Sequence, residues 1–475
     1  MAYTNFYCQY DHASASNNNG GSSVGAPVVT YTNGGWDQGT GVFTPAGGAN
    51  PQNDGVQVDQ WVSIYIDGTA APTAFIGCVN AVTSTTFTVN VSTIGFVGTS
   101  PATLGTGRTA VVGGVWKGPN AASGFPLSFL TNAARDSGLG HPRCNMKNNA
   151  SYVISTGITR SLAGPIVIEG YTTNPSDGGV AVIDATTSAI TPFTVSGAVG
   201  RVRNMRFATS ATTGSTYGVS VTTGGDYWLF ERCIANGARR SGFYLNGYAT
   251  LCLSCEAYDC AKNNTAGFGG FNVVQYGSAV INCWSHHHAG GTNADGYVMN
   301  GKGASAQGCI AENCAGAGFN CILPARLVQC DAYKNGLSGF LLAPAAADGL
   351  WLLLNCNSTR NGTGGTGYGI EGSGAYVKAG LIKNCGGYGN TSGWSTGLSA
   401  LLEEGTLTYG VNTDPWTNPE TPDFTIALAA AKGAGHQTLL RTYHSLADQV
   451  GYPDVGAMQH LESAAGGSRG VIIGG

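Results

Sequence analysis

Charge is what this chain has least of. Asp, Glu, Lys and Arg make up 10% of its 475 residues, against about 25% in an ordinary soluble domain. The net charge of −4 leaves no basic face to recruit nucleic acid. Its 22 Lys and Arg are spread thinly and do not obviously make a groove for an acidic polymer. Long apolar runs are missing too. No window approaches 18 apolar residues, which excludes a membrane-spanning helix. The start, Met1-Ala-Tyr-Thr-Asn-Phe-Tyr-Cys8, has neither the basic nor the apolar region of an export signal, so the expectation is assembly inside a cell. Sustained 3.6-residue apolar spacing is absent through the middle of the chain, which argues against helices there.

What is abundant is glycine, 75 residues, about twice the usual share of ~7%. With 17 prolines the total still falls short of the ~25–30% that marks disorder. There are also 14 cysteines, and seven of them keep time. Cys233, Cys255, Cys283, Cys309, Cys330, Cys356 and Cys385 follow one another at steps of 21 to 29 residues. Two positions after each stands a small residue: Ala235, Ala257, Ser285, Ala311, Ala332, Ser358, Gly387. Three positions before stands an apolar one, from Phe230 to Ile382. About a dozen residues on comes a glycine followed by an aromatic: Gly242-Phe243, Gly267-Phe268, Gly296-Tyr297, Gly318-Phe319, Gly339-Phe340, Gly367-Tyr368 and Gly393-Trp394.

A self-similar period in the twenties marks a solenoid. Each line consists of short runs of Val, Leu, Ile, Tyr and Phe broken by Gly and Asn, which reads as strands. Coiling such lines stacks like residues about 4.8 Å apart. The cysteine then points inward on every turn as a small polarizable hydrophobe, the small residue fits a tight corner, and the glycine takes a backbone angle other residues resist. A reduced cysteine ladder is therefore expected rather than a disulfide framework.

Lines such as Leu327-Val-Gln-Cys-Asp-Ala-Tyr-Lys-Asn-Gly336, ending in Ser338-Gly-Phe340, resemble the right-handed parallel β-helix repeats of bacterial and viral proteins. Asp423-Phe-Thr-Ile426 and Tyr452-Pro-Asp-Val-Gly-Ala-Met-Gln-His460 resemble the closing segment of such chains. The likeness covers roughly residues 150 to 460. It implies the fold and leaves function open, because this fold carries lyases, hydrolases, tailspikes and decoration proteins alike.

The fold class expected is all-β: a right-handed parallel β-helix preceded by a small antiparallel β-domain, with short capping helices. Residues 1–30, rich in Asn, Ser and Gly, read as a flexible arm. Residues 31–120 contain alternating strands such as Trp61-Val-Ser-Ile-Tyr-Ile66 and Thr86-Phe-Thr-Val-Asn-Val91, and read as a small barrel or sandwich for docking. Residues 121–410 form the β-helix, its start capped by a helix over Phe125–Ser137, where Leu127, Leu130 and Ala134 share a face. Residues 411–475 form a C-terminal cap and flexible tail, with helices at Ile426–Ala431 and Thr438–Val450.

The densest polar cluster is Ser285-His-His-His288 with Asn293-Ala-Asp295-Gly296. Adjacent strand residues face opposite ways, so only His286 and His288 of the histidines can cooperate. No further ligand stands at a closed-site spacing, so no metal and no cofactor is expected. Asn293-Ala-Asp295-Gly resembles the Asn-Thr-Asp-Gly of polygalacturonase-like hydrolases. Their second aspartate pair and Gly-His-Gly have no counterpart in the following turns, and glycoside hydrolysis needs two placed carboxylates. Asp259 and Asp331 read as solvated. Arg239, Arg240, Lys262, Lys334 and Arg360 read as exposed turn residues rather than a basic line. Cys252-Leu-Ser-Cys255 is a lone pair without a partner pair, which argues against zinc.

No catalytic residue is assigned. The resemblance, the missing export signal and the arms at both ends lead to the expectation of a structural component of a bacteriophage particle, a capsid decoration or tailspike-like protein. Its partners would be copies of itself in a homotrimer, capsid or tail proteins, and host-surface carbohydrate. The alternatives are a carbohydrate-active β-helix enzyme, a lyase or glycoside hydrolase, and a bacterial surface adhesion protein.

Overall fold

A computed structural model describes residues 3–8, 25–66, 75–89, 95–96, 104–114, 141–160, 165–197, 199–210, 213–343, 350–372 and 380–398, with short strands at 402–404, 407–408, 416–418 and 423–426. The chain divides into two compact units, residues 1–208 and 209–475. Both contain coils of a parallel β-helix in which three strands per turn stack into three parallel sheets.

The second unit carries the cysteine repeat. One turn runs through Trp228–Glu231 in sheet 1, Ile234–Asn236 in sheet 2 and Phe243–Leu245 in sheet 3. The next turn repeats it at Leu251–Leu253, Glu256–Tyr258 and Phe268–Val273. The register keeps Phe230 beside Cys252, Ala235 beside Ala257, and Phe243 beside Phe271. Strands are short because each must end at a corner. The residue before each repeat cysteine makes the first corner: Arg232, Ser254, Asn282, Gly308, Gln329, Asn355 and Asn384 all have φ between 49° and 60°. Left-handed backbone costs a non-glycine residue about 1–2 kcal/mol. The amides here recover it by bonding the next coil, as Ser254 N–H does to Ile281 O at 2.9 Å.

All seven repeat cysteines are buried and none is in a disulfide. From Cys255 onward each thiol lies within 3.4–3.7 Å of a carbonyl one coil earlier, Cys255 Sγ to Phe230 O and Cys385 Sγ to Leu353 O among them. The small residue two positions on is not at the corner. It lies inside sheet 2, fully buried, opposite the glycines that enter sheet 3. A Cβ on Gly296 would meet Ala311 Cβ at 2.8 Å, and one on Gly318 would meet Ala332 Cβ at 2.9 Å. The two small positions thus exist for each other, because the coil is too thin there for both to carry bulk. In the last full turn the roles exchange: Gly387 leaves the room that the Trp394 indole fills.

Behind these glycines Phe243, Phe271, Tyr297, Phe319 and Phe340 form one stack with centroids 4.5–5.1 Å apart. Ile370 and Ser395 continue the column. Gly267-Phe268, Gly367-Tyr368 and Gly393-Trp394 therefore fall outside the register in which the sequence placed them. A second inward column stands five residues after the cysteines and went unread: Ala238, Cys260, His288, Cys314, Asn335, Asn361 and Asn390. Each follows a left-handed residue, from Gly237 to Gly389. Asn335 Oδ1 accepts from Cys314 N–H at 3.1 Å, and Asn361 Oδ1 from Asn335 N–H at 3.0 Å, so side chains supply the bonds the corner takes from the sheet.

In the first unit, six antiparallel strands close a barrel through the pairing of Trp61–Ile66 with Phe75–Val82. A seventh, Gly95–Phe96, pairs with Phe75–Val82. Tyr31, Trp36, Phe43, Val62, Phe87 and Val112 are among its core residues. The barrel's first strand is Pro27–Asp37, so it begins inside the expected arm. Tyr3–Cys8 is not arm either. It pairs in parallel with His141–Lys147 as a sheet 1 strand, with Phe6 and Cys8 fully buried. Among the described residues the one helix is a 3-10 turn at Ala46–Gly48. The expected cap Phe125–Ser137, the helix Thr438–Val450 and the tail lie outside the described residues. Of Ile426–Ala431 only Ile426 is described, and it ends a strand. That strand, Asp423–Ile426, pairs antiparallel with Trp416–Asn418.

Candidate functional site

Of the polar cluster, His286, His288, Asn293 and Asp295 do not converge on one point. His286 ends the sheet 2 strand Trp284–His286 and faces outward. His287 has φ 56°, and this corner breaks the alternation on which pairing His286 with His288 rested. His288 instead turns inward into the second column and is buried. Cys260 N–H donates to its Nδ1 at 3.0 Å, so the imidazole proton is on Nε2, 2.8 Å from Ser285 Oγ. Ser285 Oγ in turn donates to Gly296 O at 2.7 Å. Both nitrogens are used, and burial holds the ring neutral, its pKa lowered to about 3.

Asp295 lies in the sheet 3 strand Ala294–Met299 and is also buried. Its carboxyl accepts from Ala317 N–H and Asn320 Nδ2, each at 2.8 Å. Burial outweighs these bonds and raises its pKa to about 7. Asn293 ties one coil to another, its N–H bonding Asn264 Oδ1 at 3.1 Å and its Nδ2 bonding Asn264 O at 3.0 Å. The likeness to the hydrolase motif thus ends at the sequence: Asp295 holds backbone rather than facing a substrate.

Of the scattered cations, Lys262 pairs with Asp259 at 2.7 Å, and Arg239 bonds Gly214 O at 2.9 Å. Arg240 lies over the Phe268 ring at 4.9 Å and bonds Tyr217 Oη at 3.0 Å. Lys334 and Arg360 both lie over Tyr333. They occupy several different register positions and form no single line. Asp331, read as solvated, is fully buried.

The structure assembles a different cluster on the outer face of sheet 2. The positions one and three residues after each cysteine stack there. One column holds Glu256, Trp284 and Ile310, and the next holds Tyr258, His286 and Glu312. His286 stacks on Trp284 at 4.0 Å and on Tyr258 at 5.5 Å. Its Nε2 contacts Glu256 Oε1 at 3.0 Å, its Nδ1 contacts His287 Nδ1 at 2.7 Å, and Trp284 Nε1 donates to Glu312 Oε2 at 3.2 Å. Two carboxylates thus flank a stack of rings. Tabulating the repeat by its outward positions would have revealed this cluster; reading residues adjacent in sequence hid it. Among the described residues no group of three or more His, Cys, Asp or Glu is arranged to hold a metal.

No family model matches the chain, and no curated protein matches it. Solved structures similar to it are the Dettilon tailspike protein, 14% identical with a TM-score of 0.34 over 57% of this chain, and a rhamnogalacturonan lyase, 12% identical with a TM-score of 0.37 over 56% of this chain and 79% of its own. The catalytic domain of a GH87 alpha-1,3-glucanase is 10% identical with a TM-score of 0.27, over 81% of this chain and 91% of its own. The chain spans 63% of the tailspike's length. By its own sheet topology this chain is a parallel β-helix with a small antiparallel barrel.

Proposed function

We propose that the chain is a structural component of a bacteriophage particle, a capsid decoration or a tailspike-like attachment protein. One observation carries this reading. The polar residues that looked most like chemistry, His288 and Asp295, are buried and bonded between coils, so the fold uses them for rigidity. A surface with little charge suits packing against copies of itself, and we expect a homotrimer, joined to capsid or tail proteins and facing host-surface carbohydrate. Assembly would take place in the host cytoplasm. Immunogold labelling of intact particles with antibody to residues 27–113 is the test. Label on the particle supports the reading, and absence of the protein from purified particles overturns it. Sedimentation at micromolar concentration tests the trimer.

A carbohydrate-active enzyme is the second reading, favoured by Glu256 and Glu312 on either side of Trp284 and His286, since glycoside hydrolysis uses two carboxyl groups flanking the bond. Release of reducing sugars from a host polysaccharide, lost in both Glu256→Gln and Glu312→Gln, would replace the first reading with this one.

A further inference from the structure

The second unit leaves few large apolar residues in the open, and it leaves them in one place. Among its described residues the exposed ones are Tyr227 (63%), Tyr248 (48%), Tyr276 (65%) and Leu350 (73%). All four stand in the corner that leads from sheet 3 into sheet 1. The corner backbone has no room to take them in. A Cβ on Gly247 would lie 1.9 Å from Gly225 O, and one on Gly301 would lie 2.7 Å from Gln275 O. Tyr227 is held at φ 59°, at the register position that Gly277 and Gly303 fill on later coils. Glycine takes that conformation without strain, so a tyrosine there costs the fold something and buries little in return.

Sheet 1 continues the same surface. Leu229, Leu251 and Ala279 head one outward column, and Leu253 and Ile281 stand in the other. The next two coils turn polar, with Ser305, Gln307 and Arg326. Leu352, Leu354 and Leu381 then restore the apolar face. These leucines and Ile281 are all partly exposed. From Leu229 to Leu381 the strip takes six steps of ~4.8 Å, about 29 Å in all, and with its corner it is roughly 15–20 Å wide. Its area is on the order of 500 Å² before side-chain relief, which approaches the ~800 Å² that each partner gives to a standard interface.

We propose that this strip is a contact between copies of this chain, packed side by side with their solenoid axes parallel. The inference rests on the self-association expected above and names its surface. Leucine and isoleucine offer a sugar no hydrogen bond, and an outward corner encloses no small molecule. Interfaces between proteins gather tyrosine and exclude charge at their centres, as this strip does at both its apolar blocks. A line that keeps one offset along the solenoid is covered over its whole length by a partner of the same length, which another copy is. Cyclic symmetry runs every copy the same way and sets equivalent residues at one height. Each apolar block then meets itself, and the corner tyrosines gather at the axis. Lys302 stands at the Tyr276 offset on the next coil, and its stem is long enough to carry the charge past the contact to water.

The test is sedimentation velocity of the full chain at micromolar concentration. Wild type should be an oligomer. Tyr248→Lys combined with Tyr276→Lys should need about a hundred-fold higher concentration to assemble, because like charges would meet across the contact. Both side chains are exposed, so the melting temperature of this variant should match wild type. Val153→Lys, at an exposed site of the first unit, should assemble as wild type does. Mild oxidation of Tyr227→Cys should give a covalent dimer that wild type does not form. A double variant that assembles like wild type overturns this contact and leaves the homotrimer standing. An oligomer whose Tyr227→Cys form never cross-links overturns the parallel arrangement. A monomeric wild type overturns both contact and trimer, and immunogold labelling of particles still reads the particle assignment by itself. If that monomer binds particles and the double variant does not, the strip belongs to a particle protein instead.

Discussion

His288 and Asp295 sit in one stretch of the second unit and respond to pH in opposite directions. His288 is neutral when folded, with a pKa near 3, and titrates near 6.5 when unfolded. The unfolded chain therefore binds more protons between those values, and stability falls as pH drops from about 6.5 toward 3. Asp295 is protonated when folded up to about 7 and near 3.9 when unfolded, so stability falls as pH rises through that window. Each contributes a slope of up to about 1.4 kcal/mol per pH unit, and in wild type the two largely cancel between about pH 4 and 6.5. His288→Asn places in the column the residue already found at Asn335 and Asn361, and should leave a negative slope of stability with pH. Asp295→Asn keeps the Ala317 bond and needs only a turned Asn320 amide, whose Oδ1 lacks a partner. It should leave a positive slope. Chemical denaturation at pH 4.5, 5.5 and 6.5 reads both, and two variants with the same sign would refute the assignment. The cysteines make a second prediction at this scale. Burial pushes the Cys260 thiol up to about 12 and those of Cys356 and Cys385 well above their ordinary range. The native protein should be nearly inert to a thiol reagent, and all 14 thiols should react in denaturant without prior reduction. A gain in thiols on adding reductant would mean disulfides instead.

At the scale of elements, the cysteine period could be read from sequence because its corner residues recur at fixed offsets from Cys233 to Cys385. The second inward column was hidden because its members, Ala238, Cys260, His288, Cys314 and Asn335, share a position but no chemistry. The inward turn of His288 was hidden for a different reason: strand alternation says nothing of a left-handed residue at His287. The coils before Cys233 carry no cysteine at the ladder position, so nothing marks their register. Tyr3–Cys8 does alternate, with Phe6 and Cys8 inward, but the Asn- and Ser-rich run behind it suggested an arm. The structure gives that strand a definite task. It covers the edge of His141–Lys147, and an open parallel edge is a template for aggregation. Deleting residues 1–8 removes the buried Phe6, worth about 3–5 kcal/mol in a core, along with six paired residues. Expected outcomes are a clearly lower melting temperature and concentration-dependent aggregation by light scattering. An unchanged melting curve would return these residues to the role of an arm.

At the scale of the whole chain, the order of segments changes what can be cut. The chain makes the sheet 1 strand Tyr3–Cys8, builds the barrel between Pro27 and Gly113, and returns to sheet 1 at His141. The barrel is thus an insertion between two neighbouring strands of one sheet, rather than a bead threaded before the β-helix. Phe6 meets barrel residue Trp61 edge-on at 5.1 Å, a contact worth about 0.5–1.5 kcal/mol. Joining Val24 directly to Val115 removes the barrel and leaves residues 9–24 and 115–140 to connect strands about 4.8 Å apart. Loop closure changes only slowly with length, so the shortened chain should fold with little loss beyond the Trp61 contact. A chain beginning at Ala121 also lacks the barrel but has lost Tyr3–Cys8 as well, and should be markedly less stable. Circular dichroism and thermal melting of the two side by side decide the matter. If the barrel is what docks on the particle, the excised chain should stay folded and fail to bind particles that lack the protein. Folding of the Ala121 chain as well as the excised one would mean that strand Tyr3–Cys8 contributes nothing. Binding by the excised chain would move the attachment surface to the β-helix or to the residues after it.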